Sequence, residues 1–209
     1  MMRYLRRLAA GAALLTCLAL PLRGNSAELS FGYNVVENAV LDSGDLRTRM
    51  INNIDLIEGD FRFGYHGLNE VNNFDAKTYF GRNRLMIGKK GADTSALIDM
   101  RSDVNGVFDT KFGMRNTGLI KKSGGYGFVD VSVNGKAGNV NLFYGRSLGH
   151  GLSLEYLQSS DFAFKGKPSY YRELQMNKDV GKGRAVFARA EMAEHCETKY
   201  MFGVAQNLF

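Results

Sequence analysis

Between Asp45 and Leu68 the chain alternates residue by residue. Leu46, Thr48, Met50, Ile54 and Leu56 share one parity, and Arg47, Arg49, Asn53 and Asp55 share the other. After the break Glu58-Gly59-Asp60, Phe61, Phe63 and Tyr65 alternate with Arg62, Gly64 and His66. A period of two puts successive side chains on opposite faces of a β-strand. The same signature recurs along the chain, each run ending in Gly, Asn, Asp or Lys. It predicts twelve strands, over 28–36, 46–57, 60–68, 76–88, 93–102, 107–116, 125–134, 139–147, 151–158, 169–178, 184–193 and 197–209. Ten and fourteen are the neighbouring counts.

One parity of these runs is apolar: Leu29, Phe31, Tyr33 and Val35; Phe108, Phe112 and Met114; Val129, Val131 and Val133; Val140, Leu142 and Tyr144; Leu152, Leu154 and Tyr156; Val186, Ala188, Ala190 and Met192. The other carries Asp99, Arg101, Asp109, Lys111, Arg115, Asp130, Glu155, Arg189 and Glu191. A soluble barrel or sandwich turns the apolar set inward, and an outer-membrane barrel turns it toward lipid. Twelve strands enclose a cylinder wider than the eight that side chains readily fill, which favours the second arrangement. Aromatics near the run ends, at Phe61, Tyr79, Tyr126, Tyr144, Tyr156 and Tyr200, fit interfacial girdles. The only prolines are Pro21 and Pro168, and neither interrupts a predicted strand.

The first 27 residues differ from the rest. Arg3, Arg6 and Arg7 precede an apolar stretch from Leu8 to Leu22, too short for a comfortable membrane helix and typical of a secretory signal peptide. Cleavage is expected before Glu28, leaving residues 28–209 as one barrel domain of 209 − 27 = 182 residues. Twelve strands in that length leave about 15 residues per strand and turn, suited to a tilted membrane strand. Removing Arg3, Arg6, Arg7 and Arg23 from the 27 Lys and Arg leaves 23 against 21 acids, a net charge of +2. The basic balance of the whole chain therefore gives no ground for a nucleic-acid partner. Cys17 lies in the signal segment, where acylation would require a cut after Thr16, and Cys196 is left without a partner for a disulfide.

With its signal segment, its strands running to the end and its C-terminal YMFGVAQNLF, the chain resembles bacterial outer-membrane β-barrel proteins. The resemblance implies an all-β, antiparallel, up-and-down transmembrane barrel, with outer-membrane lipids and the barrel-assembly machinery as partners. It also implies that Phe209 is read as an assembly signal, although Phe209 is out of phase with Tyr200, Phe202 and Val204. Short inner turns are then expected at 58–60, 89–93, 147–151 and 180–183, outer loops at 37–45, 69–75 and 159–168, and one longer inner connection at 117–125. Size and arginine-rich strands are similar to the small twelve-stranded sugar channels of the oligogalacturonate-specific porin family. That likeness implies passive diffusion of small anionic or polar solutes, including acidic oligosaccharides.

The candidate pore-lining residues are Arg47, Arg49, Arg62, His66, Arg82, Arg84, Arg101, Lys111, Arg115, Asp130, Glu155, Glu173, Arg189 and Glu191. Early strands are rich in arginine and later ones in acids, so a cationic wall facing a more acidic one is expected. Two uses of these charges stand open: guidance of solutes, since arginine matches carboxylates with two parallel bonds, or pairing across the lumen that braces or plugs it. Hydrolase chemistry would need a nucleophile within reach of His66, His150 or His195. His66 has no serine in its run, and His150 and Ser153 are of opposite parity, so no enzyme is expected. The cluster Glu194-His195-Cys196-Glu197 lacks the spacing of a metal site, and the glycines of SGGYGF and VGKGRA fit no phosphate loop, so no cofactor is expected either.

Overall fold

The computed structural model describes residues 28–32, 34–163 and 167–208. The signal segment with Cys17, together with Tyr33 and Phe209, lies outside the described residues. Thirteen strand segments follow in order: β1 (Glu28–Phe31), β2 (Val35–Leu41), β3 (Leu46–Glu58), β4 (Phe61–Asn72), β5 (Phe80–Lys89), β6 (Thr94–Asp103), β7 (Gly106–Asn116), β8 (Tyr126–Val133), β9 (Ala137–Gly149), β10 (Leu152–Ala163), β11 (Ser169–Gly181), β12 (Arg184–Ala193) and β13 (Lys199–Asn207). Each strand from β2 to β13 pairs antiparallel with the next, and β13 pairs back onto β2, which closes the sheet. Because β1 and β2 pair successively along β3, the barrel has twelve staves. Closure pairs the staves on both sides over most of their length; among the described residues β1 is paired with β3 alone, and β7 with β8 only from Phe112 to Asn116.

The first stave is broken by the side chain of Asn34, which replaces part of the backbone ladder. Its Nδ2 donates to the carbonyls of Gly32 (3.0 Å) and Asn53 (3.2 Å), and its Oδ1 accepts from the Asn53 amide (3.3 Å). This break shifts the alternation. Leu29 and Phe31 face outward beside Leu56 and Ile54, whereas Val35 and Glu37 face inward beside Ile51 and Arg49. The sequence-based assignment of Val35 to the same face as Leu29 is thereby corrected.

Predicted strands and observed ones coincide in number and nearly in bounds. The differences concentrate at the upper end, taken as the end opposite the Glu58–Phe61 turn. Segments expected as loops at 37–45, 69–75 and 159–168 instead continue as strand to Leu41, Asn72 and Ala163. Their polar residues mark staves that continue toward the rim, not chain leaving the sheet. The strand expected from residue 76 starts at Phe80, after a 3-10 turn at Ala76–Thr78 capped by Asp75, whose side chain accepts from the Lys77 amide. At the lower end, the longer connection holds one helical turn, α1 (Gly118–Lys121).

The outward face is apolar, with Phe63, Phe112, Leu174, Met176, Val186 and Phe202 all exposed. The inward face holds the buried charges: Glu37, Arg47, Arg49, Arg82, Arg84, Asp99, Lys111, Arg115, Asp130, Glu173, Arg189 and Glu191. Tyr126, expected in an aromatic girdle, is on the inward face instead, its hydroxyl donating to Glu155 (2.7 Å). Gly127 between it and Phe128 has φ of 139°, which lets the strand start turn in over the carbonyl of Phe143, 2.1 Å from where a Cβ would stand. One sector of the lumen is dry: Val35, Ala39, Leu41, Phe187, Met201 and Ala205 pack together where β12, β13 and β2 meet. The ring of Phe187 lies against Gly203, leaving no room there for a side chain.

Candidate functional site

The remaining sectors enclose a lumen cavity of about 980 Å³. Its lining runs from Asp93 and Thr117 at the lower turns to Cys196 and Lys199 at the upper rim. Around it the charged residues fall into two clusters.

The first joins β2, β3 and β4 to β11 and β12. Arg49 donates to Glu70 (2.8 Å) on the adjacent strand and to both oxygens of Glu173 (2.8 and 3.0 Å) on β11. Arg47 makes two 2.6 Å bonds to Glu191 on β12, and Arg189 pairs with Glu37 on β2. In the closed order β11-β12-β13-β2-β3, the Arg49–Glu173 pair joins strands four places apart, so it crosses the lumen on a chord. Gln175 extends the cluster, its Oε1 accepting from Arg189 Nε (2.5 Å) and its Nε2 donating to Glu37 (3.3 Å). Burying so many ions is tolerable only because nearly every donor finds an acceptor.

The second cluster is built on β5 to β9. Arg82 pairs with Asp99 on β6 and donates to Asn141 (2.8 Å) and Asn139 (2.7 Å) on β9. Arg115 on β7 grips Asp130 on β8 with two bonds, 2.7 and 2.8 Å, and its guanidinium lies 3.7 Å from the centre of the Phe128 ring. Arg84 has what remains. Its Nε is 3.5 Å from Asp99 and 3.4 Å from Asp130 without forming a hydrogen bond, and its Nη1 donates to His66 Nδ1 (3.2 Å). An arginine has no acceptor, so His66 takes this bond on an unprotonated nitrogen. Nearer the upper rim, Arg101 pairs with Asp161 on β10 (2.8 Å) and Lys111 with Asp109.

The sequence-predicted residues are therefore all inside, apart from Phe209, which lies outside the described residues. Arg62 is the most open of them, paired with Asp55 (2.7 Å) near the lower end. The expected cationic wall on the early strands is corrected. Arg47 and Arg49 sit among Glu37, Glu70, Glu173 and Glu191, so that side carries more acid than base. The partners Glu37, Glu70, Asp161, Asn139 and Asn141 and the aromatic Phe128 were not among the candidates. Glu37 had a signal: a carboxylate in phase with Leu29 and Phe31 marks a slipped alternation. His66 stands mid-strand, whereas His150 and His195 lie outside the strands with positive φ, and Cys196 is exposed near the upper rim.

No protein-family model and no curated protein matches the chain. Among solved structures it is similar to the translocator domain of the autotransporter NalP from Neisseria meningitidis, at 11% identity over 97% of this chain and 96% of that one, with a TM-score of 0.32. That superposition is too loose to bear on function.

Proposed function

We propose that this chain is an outer-membrane channel through which small polar solutes, anions in preference, diffuse passively. The observation that carries this reading is the inverted barrel: an exposed apolar exterior around a charged interior, with one cavity lined from lower turns to upper rim. An arginine or lysine facing lipid at mid-bilayer costs about 2–4 kcal/mol and an acid somewhat less, so a barrel with this distribution is at home in a membrane. The outward arginines support the same placement. Arg172 and Arg146 stand toward opposite ends of their strands, where the cost falls to about 0–1 kcal/mol, and Arg172 stacks on Tyr170 at 4.7 Å. On this reading the partners are outer-membrane lipids, the assembly machinery and the solute. Diffusion calls on no enzyme activity, no cofactor and no nucleic acid.

The chord of ion pairs from β3 to β11 and β12 favours a second reading, a closed barrel held shut by its own charges. Planar-bilayer recording of the purified chain separates the two. Discrete conductance steps, with a reversal potential under a salt gradient that shows anion preference, are expected, and Arg84→Glu should reverse the preference. Silence in the bilayer, for protein that shows heat-modifiable gel migration, would sink the channel and leave the closed barrel.

A further inference from the structure

The lower half of the lumen departs from the rule that a water-filled interior is polar. Along β8 and β9 the inward positions change from Ser132, Asp130, Asn139 and Asn141 to Phe128, Tyr126 and Phe143. Their rings and that of His66 form a continuous row: Tyr126 to Phe143 at 6.1 Å, Phe143 to Phe128 at 5.6 Å and Phe128 to His66 at 5.7 Å, all lining the cavity. Phe128 has a local task, since Arg115 lies on it. Among the described residues no guanidinium is stacked on Phe143, which is half-buried and faces the cavity.

At the inner end of the row stands Arg84, 5.6 Å from the centre of Phe128. Its side chain is 5% exposed, yet the two carboxylates beside it are already committed, Asp99 to Arg82 and Asp130 to Arg115. Three guanidinium groups share two carboxylates, which leaves one positive charge over; Arg84 lines the cavity, and its Nε is buried without a hydrogen bond. The nearby Arg101 and Lys111 do not alter this balance, because each has its own aspartate. A surplus guanidinium in a partly desolvated site is a seat for an anion, and adjacent ring faces reward a flat, weakly hydrated body.

We infer that the lower lumen holds a binding site for a carboxylate carried on a ring, its charge at Arg84 and its ring along Phe128 and Phe143. The site deepens the channel reading by naming a solute class. It is tested by binding rather than by conductance, so either can fail without the other. Calorimetric titration of the full chain in detergent with benzoate, cyclohexanecarboxylate, acetate and benzamide is the experiment. Saturable benzoate binding is expected, at least tenfold tighter than acetate, which has no ring, and benzamide, which has no charge. Cyclohexanecarboxylate distinguishes an aromatic preference from a requirement for any ring. Acetate binding as well as benzoate would overturn the role of the rings, benzamide doing so would overturn that of Arg84, and no binding by any probe would overturn the site. In folded variants, Arg84→Gln should abolish benzoate binding and Phe143→Leu should weaken it severalfold while leaving acetate unchanged. The four-probe comparison on the unaltered chain stands even if a variant does not fold.

Discussion

The two ionic clusters both pair arginines with carboxylates and leave opposite charges over. Between β2–β4 and β11–β12, Glu37, Glu70, Glu173 and Glu191 surround Arg47, Arg49 and Arg189, so carboxylates are in excess and the arginines tie distant staves together. Between β5 and β8, Arg82, Arg84 and Arg115 share Asp99 and Asp130, and the bonds that Arg82 sends across the lumen end on neutral asparagines. A charge in the first cluster is structural, because removing Arg49 takes the closest cation from two acids at once, leaving Glu70 with Arg47 at 3.3 Å and Glu173 with the Tyr171 hydroxyl and Arg189 at 3.7 Å. In the second, removing Arg84 leaves both aspartates bound. The difference separates bracing from recognition within one lumen, although residue type alone gives the two sides the same appearance.

The sharpest way to break this comparison is to substitute the same residue type on both sides. Arg49→Met leaves Glu70 and Glu173 without their main donor, and breaking a buried ion pair from one side costs about 3–5 kcal/mol. Arg84→Met should cost far less. Urea unfolding of both variants in lipid vesicles reads the contrast directly, and equal losses would mean the clusters are energetically alike. A second test concerns the wall between lumen and lipid. Leu174 follows Glu173 on β11 and points the other way, so Leu174→Arg should lose about 2–4 kcal/mol at mid-strand. If that arginine were tolerated, the exterior would not face lipid and both clusters would need another account.

Much of this architecture is legible in the alternation itself. Twelve runs become twelve staves because a period of two survives in every strand whose faces meet different solvents. What the pattern hides is anything that shifts phase without shifting composition. Gly32 and Asn34 let the first stave change face, so Val35, apolar and in step with Leu29, turns inward, and Glu37 joins Arg189. Pairing across the lumen was equally hidden. Arg49 and Glu173 are 124 residues apart, and only closure of the barrel sets them opposite one another. Phe128, in phase with Asp130, and Phe143, out of phase with Leu142 and Tyr144, fall on the inward parity, but the alternation does not show that their rings meet across neighbouring strands.

The phase shift can itself be tested, and it bears on the first cluster because it carries Glu37 into the lumen. Asn34→Ala removes the side-chain bonds to Gly32, to the Asn53 carbonyl and to the Asn53 amide, at a buried position. Losing such bonds typically costs about 1–3 kcal/mol. Urea midpoints should fall accordingly, and faster hydrogen exchange should be confined to β1, β2 and their partner β3. Exchange that rises instead across β5 to β8 would show that the first stave does not anchor its own side.

The smallest expected effect belongs to the floor of the second cluster. Asp93, just before β6, accepts from Lys121 of α1 (2.9 Å), while its carbonyl accepts from the Thr117 amide (2.9 Å), tying the start of β6 to the connection between β7 and β8. The hydrogen bond and charge of Lys121 hold the Asp93 carboxyl below its ordinary value of 3.8. A carboxylate more acidic in the folded chain than in the unfolded one stabilises the fold above its ordinary pKa, and that contribution fades as pH falls through the lowered value. The pair is exposed, so global stability should barely respond. What should change is local: amide exchange at Lys121 and Lys122, corrected for the intrinsic effect of pH, should quicken below about pH 4 in the unaltered chain and become independent of pH in Asp93→Asn. With Arg82, Arg84 and Arg115 lying above this tie, anion preference in the same acid range should persist. A preference that vanished together with the tie would mean that the second cluster depends on its floor, and that the line between bracing and recognition falls elsewhere in the barrel.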